Sequence, residues 1–349
     1  MERGIKRRCH NLRFYRANRY MTDRFKWAIF SPGRIARQFA DAAGHLDGCT
    51  ITAVASSSLA RAEDFAESYA VAHVFNDYQR LLDQVEVDAV YIASVHSMHH
   101  EQIRLCLNAG IPVLCEKPIT VNASELKSLM TIASQKKIFM MEALWTRFLP
   151  VTNQVKSWLN IGAIGNLQHI QASFGFESNS VATDRLKNPD LAGGVLLDLG
   201  IYPIAMSQYF NSYPVKEVIA EAVLGETGVD EQLTVKLVYE NGVISEFICS
   251  MNNNYENTLK LVGDAGSIEI NAPFWGATTA KLIQMTNTKT FETPHIINGF
   301  EFQIHAAMDA VKNKQLEAMQ MPLGDSLNNM LLMDTIRAQI GVLYPFESD

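Results

Sequence analysis

Phe25-Lys26-Trp27-Ala28-Ile29-Phe30-Ser31-Pro32-Gly33-Arg34-Ile35-Ala36 is an apolar run that reads as a strand over Phe25 to Phe30, a turn of small residues and the opening of a helical period. A strand that feeds a tight turn and a helix is the first unit of a doubly wound sheet. Small residues at such a turn let backbone N–H groups and the helix N-terminus approach a pyrophosphate. The glycine-rich fingerprint is matched incompletely: Ser31 stands where the first glycine belongs, Gly33 keeps the second, and Ala36 substitutes for the third. Ser31, Gly33, Arg34 and Ile35 are therefore candidates for a dinucleotide turn. A Pro-Gly turn also joins strand to helix in proteins that bind no nucleotide, so other segments must decide.

Working outward, apolar runs at Thr50 to Ala55, Val87 to Ser94, Pro112 to Cys115 and Ile138 to Glu142 alternate with segments of helical period. Gly110 is placed to end one helix, and Asn122 or Ser124 to cap the next. After Ala143 the runs lengthen and alternate, at Gln168 to Phe174, Gln232 to Tyr239, Val243 to Ser250 and Thr258 to Val262, with turn signals at Asn241-Gly242 and Asp264-Ala265-Gly266. Helices are expected at Leu196 to Tyr209, Glu301 to Lys312 and Ser326 to Ile340. The expected fold is α/β: an N-terminal Rossmann doubly wound parallel sheet over 24–143, then an α+β domain over 144–349 on an open, mostly antiparallel sheet. The closing helices are expected to pack back on the first domain.

A chain of 349 residues suits two domains. A net charge of -7 disfavours a nucleic-acid partner, because binding phosphate needs a cationic surface. Cys9, Cys49, Cys106, Cys115 and Cys249 show no Cys-x-x-Cys spacing, which argues against a disulfide framework or structural zinc and fits a reducing cytoplasm. No apolar run is read as reaching the roughly 18 residues of a membrane span. Residues 1–23 hold a crowd of Arg and Lys with only Glu2 and Asp23 as acids. This segment reads as a basic extension outside the core, the functional chain beginning near Met21; a targeting or nucleic-acid-binding arm is the alternative.

Ser56-Ser57-Ser58 and Arg61 lie where an NAD-specific fold places an acid for the ribose 2'-hydroxyl. Hydroxyls and a cation suit a 2'-phosphate, which points to NADP with NAD possible; a serine-rich loop capping a helix is the plainer reading. Glu116-Lys117-Pro118 leaves a buried strand at its carboxyl end, where open α/β sheets hold ligands. In Gly193-Gly194-Val195-Leu196-Leu197-Asp198-Leu199-Gly200-Ile201-Tyr202-Pro203, a helix places Asp198 and Tyr202 on one face. A phenol is a poor base at neutral pH unless a cation such as Lys117 stabilises its phenolate. Alone, each segment reads as a surface turn or a capped helix.

Together these segments resemble the glucose-fructose oxidoreductase and inositol dehydrogenase family (Gfo/Idh/MocA), from about Phe25 to the C-terminus. Tyr91 to His99, Met141 to Pro150 and Met321 to Ser326 agree in order. The Met-Glu-Ala-Leu-Trp-Thr-Arg-Phe run, with Tyr202 rather than histidine, is most similar to the branch of dimeric dihydrodiol dehydrogenases and NADP-dependent xylose dehydrogenases. The resemblance implies Lys117 as catalytic lysine, Tyr202 as proton donor or acceptor, and Asp198 as a substrate-orienting carboxylate. It implies that Ser94, His96, His99 and Glu116 border the nicotinamide and its ribose. Arg185 matches an arginine that reaches the cofactor, although Asp184 replaces the usual tryptophan before it. Trp145, Arg147 and Trp275 are implied in the substrate pocket, and a homodimer through the open sheet face. His96 departs from the usual asparagine; with His99 and His100 beside it, no carboxylate or cysteine completes a metal-ligand set, so no metal is expected.

The function expected is hydride transfer between nicotinamide and a secondary alcohol or hemiacetal carbon of a sugar, polyol or cyclic trans-diol, with Tyr202, tuned by Lys117, moving the hydroxyl proton. Two other readings stay open: an NAD-dependent glycoside hydrolase that works by transient oxidation, and a non-catalytic dinucleotide-binding sensor.

Overall fold

The computed structural model describes residues 24–347. The basic extension over 1–23 lies outside the described residues. The first half runs β1 (Phe25–Phe30), α1 (Arg34–His45), β2 (Cys49–Ala55), α2 (Leu59–Tyr69), β3 (His73–Phe75), α3 (Tyr78–Gln84), β4 (Ala89–Ile92), α4 (His99–Asn108), β5 (Val113–Glu116), α5 (Ala123–Lys136) and β6 (Met140–Ala143). Its strands are all parallel in the order β3-β2-β1-β4-β5-β6, the doubly wound arrangement whose chain reversal leaves a crevice at the carboxyl ends of β1 and β4. Because helices cover both faces, β1, β4 and β5 are apolar along nearly their whole length. Phe39 of α1 anchors that packing, stacked on Tyr91 at 3.9 Å and edge-on to Trp27 at 5.2 Å. Asn122 caps α5 by accepting the Glu125 N–H at 2.9 Å, and Glu125 returns a bond to the Val121 N–H at 3.1 Å.

The second half carries α6 (Pro150–Asn160), β7 (Leu167–Gly175), α7 (Ile201–Phe210), β8 (Val215–Leu224), β9 (Asp230–Tyr239), β10 (Ile244–Ser250), β11 (Leu259–Gly263), β12 (Gly266–Ile270), β13 (Thr279–Gln284), β14 (Asn287–Glu292), α8 (Phe300–Lys312) and α9 (Leu323–Ile340). Its sheet has eight strands in the order β14-β13-β12-β11-β7-β10-β9-β8, antiparallel except where β7 meets β10. α7 packs beneath this sheet. The stretch Pro189–Phe210 is, by length and composition, apolar enough to cross a membrane, which corrects the reading that no such run exists; 89% of its most apolar window is buried, as in a core helix.

The last two helices return to the first half. Ser326 donates to Glu142 Oε2 at 2.7 Å, Asp334 accepts the Ala123 N–H at 2.9 Å, and the Met140 N–H pairs with the Leu316 carbonyl at 3.1 Å. Arg147, expected at the substrate, is instead part of this joint. It is 3% exposed, bonded to Asp325 at 2.7 Å and seated over the Tyr209 ring at 4.2 Å. The motif pair Met141 to Pro150 and Met321 to Ser326 is thus a structural clasp, with Glu142 meeting Ser326 and Arg147 meeting Asp325. Arg147→Met is expected to lower thermal stability by about 1–3 kcal/mol, discounted from a fully buried pair because Asp325 is half-exposed. Substrate KM should not move; a raised KM at unchanged Tm would return Arg147 to the pocket.

Candidate active site

The cleft at the carboxyl ends of β1, β4 and β5 has a volume of about 1030 Å³ and is lined from both halves of the chain. The first half contributes Ser31 to Ile35, Ser57, Arg61, Ser94, His96, Glu116 and Lys117; the second contributes Arg185, Asp198, Tyr202, Phe174 and Trp275. Trp145, just past β6, completes the wall.

α1 opens into this cleft at Gly33 with no side-chain cap and no acid in its first turn. Its free N–H groups and positive dipole end therefore suit a phosphate, and Gly33 leaves the space before them open. Ser94 Oγ and Gln102 Oε1 are buried with no partner among the described residues, so polar valence remains for a bound group. These residues fit a pyridine dinucleotide. Ser31 sits in the left-handed region with φ of 60°, the backbone a glycine would adopt freely and serine adopts at a cost of about 1–2 kcal/mol. The turn therefore keeps the fingerprint's shape without its glycine.

Lys117, leaving β5, reaches across the cleft. Its Nζ donates to the Asp198 carbonyl at 2.6 Å and to Asp198 Oδ1 at 3.1 Å, and lies 4.9 Å from the centre of the Tyr202 ring. The amine and the phenol from opposite halves therefore meet, as the sequence led us to expect. Asp198 is the hub of the charges: Arg185 bonds it at 3.1 and 3.4 Å. Both its oxygens are engaged, so Asp198 fixes Lys117 and Arg185 rather than standing free to orient substrate. Burial alone would raise its carboxyl, but Lys117 and Arg185 hold it well below the usual range. Burial likewise opposes the charge on Lys117, and Asp198 outweighs it, so the ammonium is kept.

Tyr202 is 7% exposed, and its hydroxyl accepts a bond from Trp145 Nε1 at 3.3 Å. Burial raises its pKa further than Lys117 lowers it, so the phenol is protonated at neutral pH. This corrects the simple expectation that Lys117 alone makes it a base. Trp145 is wedged in place: a Cβ on Gly276 or Gly299 would approach its ring to 2.7 or 2.5 Å. Trp275, stacked on Phe174 at 3.5 Å, adds a flat apolar wall.

The segment that carries Asp198 is a π turn, Leu196–Gly200, running into α7 rather than one regular helix. Asp230 at the start of β9 holds it, accepting the Leu196 N–H at 2.7 Å. Gly194, at φ of 112°, lies against that carboxylate, and a Cβ there would come within 2.1 Å of Asp230 Oδ1. The paired glycines are thus needed for close approach.

Residues 25–143 match the oxidoreductase family with an NAD-binding Rossmann fold, and residues 152–269 match the GFO/IDH/MocA C-terminal domain. The chain belongs to the GFO/IDH/MocA family. It is an NAD(P)-dependent oxidoreductase acting on CH–OH groups. Trans-1,2-dihydrobenzene-1,2-diol dehydrogenase of Mus musculus is 33% identical over 92% of this chain and 98% of its own length. The Homo sapiens enzyme of the same name is 31% identical with the same coverage. A solved 3-ketoreductase of Actinomadura kijaniata, KijD10, in complex with NADP and TDP-benzene, superposes with a TM-score of 0.83 at 26% identity, covering 91% of this chain and 98% of that one.

Not every expected site residue of this family member faces the cleft. Ser56 is 2% exposed, and its hydroxyl accepts the Ser58 N–H at 3.2 Å, so it shapes the start of α2 while Ser57 and Arg61 line the cleft. His99 is wholly buried: Nδ1 donates to the Pro118 carbonyl at 2.8 Å, and Nε2 lies 3.2 Å from the Ser94 carbonyl. It braces the loops that carry Ser94 and Lys117 instead of touching a ligand. His96 does line the cleft, with Nδ1 donating to the Ala192 carbonyl at 2.9 Å across the two halves. Burial lowers its pKa to about 3, so Nε2, 3.9 Å from Asp198, is a neutral acceptor and not an ion-pair partner. Tyr78, Gln102 and Phe174 were missed by sequence reading; only the fold brings them to the cleft.

Two buried carboxyls set a pH dependence. Burial pushes both Glu116, bonded to the Tyr91 hydroxyl, and Asp230 up to about 7. Their unfolded values are near 4, so the native chain holds more protons between about pH 4 and 7. Stability from these groups is full below that window and lost as pH rises through 7. His96, lowered by burial to about 3, adds the opposite slope as pH rises through its unfolded value near 6.5. Asp230→Asn is therefore expected to shift Tm upward relative to the parent as pH rises from 5.5 to 8 in a calorimetric series; a Tm difference that does not change with pH would contradict the assignment.

Proposed function

We propose that this chain is an NADP-preferring dehydrogenase or reductase acting on a secondary alcohol or hemiacetal carbon of a sugar, polyol or cyclic trans-diol. The observation that carries the reading is Lys117 Nζ set 4.9 Å from the Tyr202 ring inside a cleft that also holds an uncapped helix N-terminus. When bound, the nicotinamide supplies the hydride acceptor or donor. Asp198, itself held by Arg185, fixes the ammonium of Lys117, which orients the reacting oxygen. Tyr202 gives a proton to that oxygen in reduction. In oxidation it takes one once ligand charge and Lys117 offset its burial. Trp145, Phe174 and Trp275 offer flat faces to a ring substrate. The names of the diol dehydrogenase relatives and the 3-ketoreductase support this substrate class.

NADP preference rests on Ser57 and Arg61 at the cleft. Arg61→Ala is expected to weaken NADP binding about tenfold and leave NAD binding unchanged, the loss of one charge-assisted contact. Equal effects on both dinucleotides would remove the 2'-phosphate assignment. The deciding screen follows reduced-nicotinamide absorbance with NADP and NAD offered against aldoses, inositols and cyclic diols. Reduction of NADP by members of that panel supports the proposal. Glycoside cleavage without net NADPH would favour the hydrolase, and bound dinucleotide without turnover would favour the sensor.

A homodimer through the open face of the eight-stranded sheet accompanies this proposal, supported by the exposed Ile219 and Val223 of β8 on the sheet's edge. A reducing cytoplasm is supported by Cys49, Cys106, Cys115 and Cys249, all free and buried.

A further inference from the structure

Ser31 keeps φ of 60° while its amide N–H continues the strand pairing to the Ala55 carbonyl at 2.8 Å. A serine released from constraint relaxes toward negative φ, and the N–H groups of the turn that follows would move with it. Something must hold it. The Ser31 hydroxyl lies 2.7 Å from the Tyr78 hydroxyl and accepts a longer bond from Gln102 Nε2 at 3.4 Å. Tyr78 is itself fixed independently of the turn. It is the first residue of α3, whose cap Asp77 accepts the Arg80 N–H at 2.9 Å, and its ring packs on Phe30 at 4.7 Å.

We propose that Tyr78 is a positioning residue for the dinucleotide turn: its hydroxyl pins Ser31 in the left-handed conformation, so that Ser31 and Tyr78 together replace the first glycine of the fingerprint. Tyr78 acts through Ser31. This inference rests on reading the cleft as a dinucleotide site. It predicts a dependence no glycine-bearing turn has, in which one hydroxyl on α3 sets affinity at the end of β1.

The test is a double-mutant cycle on the full chain, with NADP affinity measured by calorimetric titration in the absence of substrate, so that turnover plays no part. Tyr78→Phe removes one oxygen and keeps the ring on Phe30. It is expected to weaken NADP about tenfold, equivalent to about 1.4 kcal/mol. Ser31→Ala, which keeps the Cβ that disfavours the left-handed backbone and loses the bond that holds it there, should match it, and the two losses should not add. Ser31→Gly adopts the conformation without help, so Tyr78→Phe made in the Ser31→Gly chain should cost no affinity. That rescue separates the proposal from a direct contact between Tyr78 and the ligand, for which the loss would persist in the Ser31→Gly chain. Persistence, or a Tyr78→Phe chain that binds like the parent, would overturn it. A parent that binds neither NADP nor NAD would fail at the earlier step and take the dinucleotide reading with it.

Discussion

Lys117→Met is expected to bind NADP with a Kd within a factor of about 3 of the parent and to lose turnover by three orders of magnitude or more, the upper range for removing a group that acts in proton transfer. The asymmetry follows from position. Lys117 gives two of its three N–H donors to the Asp198 carbonyl and carboxylate and faces Tyr202, whereas the phosphate-binding features lie at the start of α1. Methionine keeps the unbranched stem, and Arg185 remains to pair Asp198, so the carboxylate is not stranded. Titration calorimetry beside steady-state rates on an active substrate from the screen would check both halves. Near-parental turnover would dismiss Lys117 as catalytic.

The second large effect is expected from Tyr202→Phe, a loss of about 10²- to 10⁴-fold in kcat with little change in dinucleotide affinity. Only an oxygen is removed, and Phe174 and Trp275 still pack against the ring, so the fold should survive. Because burial holds the phenol protonated at neutral pH, the parent's oxidation rate should climb toward alkaline pH and that of the variant should not. Lys117 and Tyr202 serve one proton transfer, so the double variant should be barely worse than the poorer single one. Full additivity of the two losses would mean that they act in separate steps.

The parallel half was legible because buried strands announce themselves: Phe25–Phe30 was read to the residue, and Cys49–Ala55 to within one. Among the elements that escaped, the strands at the sheet edges have little buried surface. β3 is three residues long, and β14, Asn287–Glu292, is almost wholly exposed, so neither leaves an apolar alternation to read. β8 hides for the same reason at the other edge of its sheet. In the site, the strand-end rule places Lys117, and Asp198 and Tyr202 reach the same cleft although a π turn replaces the regular helix over Asp198. Arg147 misled because a residue beside a cleft-lining tryptophan shares its neighbourhood but not its direction. Trp145 turns toward Tyr202, while Arg147 turns to Asp325 and Tyr209. Ser56 misled in the same way, since alternation past the strand end sends it inward and Ser57 outward.

The bond between Met140 and Leu316 also bears on how the chain is made. β6 borders the parallel sheet on one side only, and the segment that shields its free margin is translated more than 170 residues later, as the interval from 140 to 316 requires. While a ribosome works through the intervening antiparallel strands, that margin offers unpaired amides and carbonyls to any neighbouring nascent chain. Synthesis halted after the first half should therefore yield a sticky intermediate, and holding chaperones should matter most until the final two helices emerge.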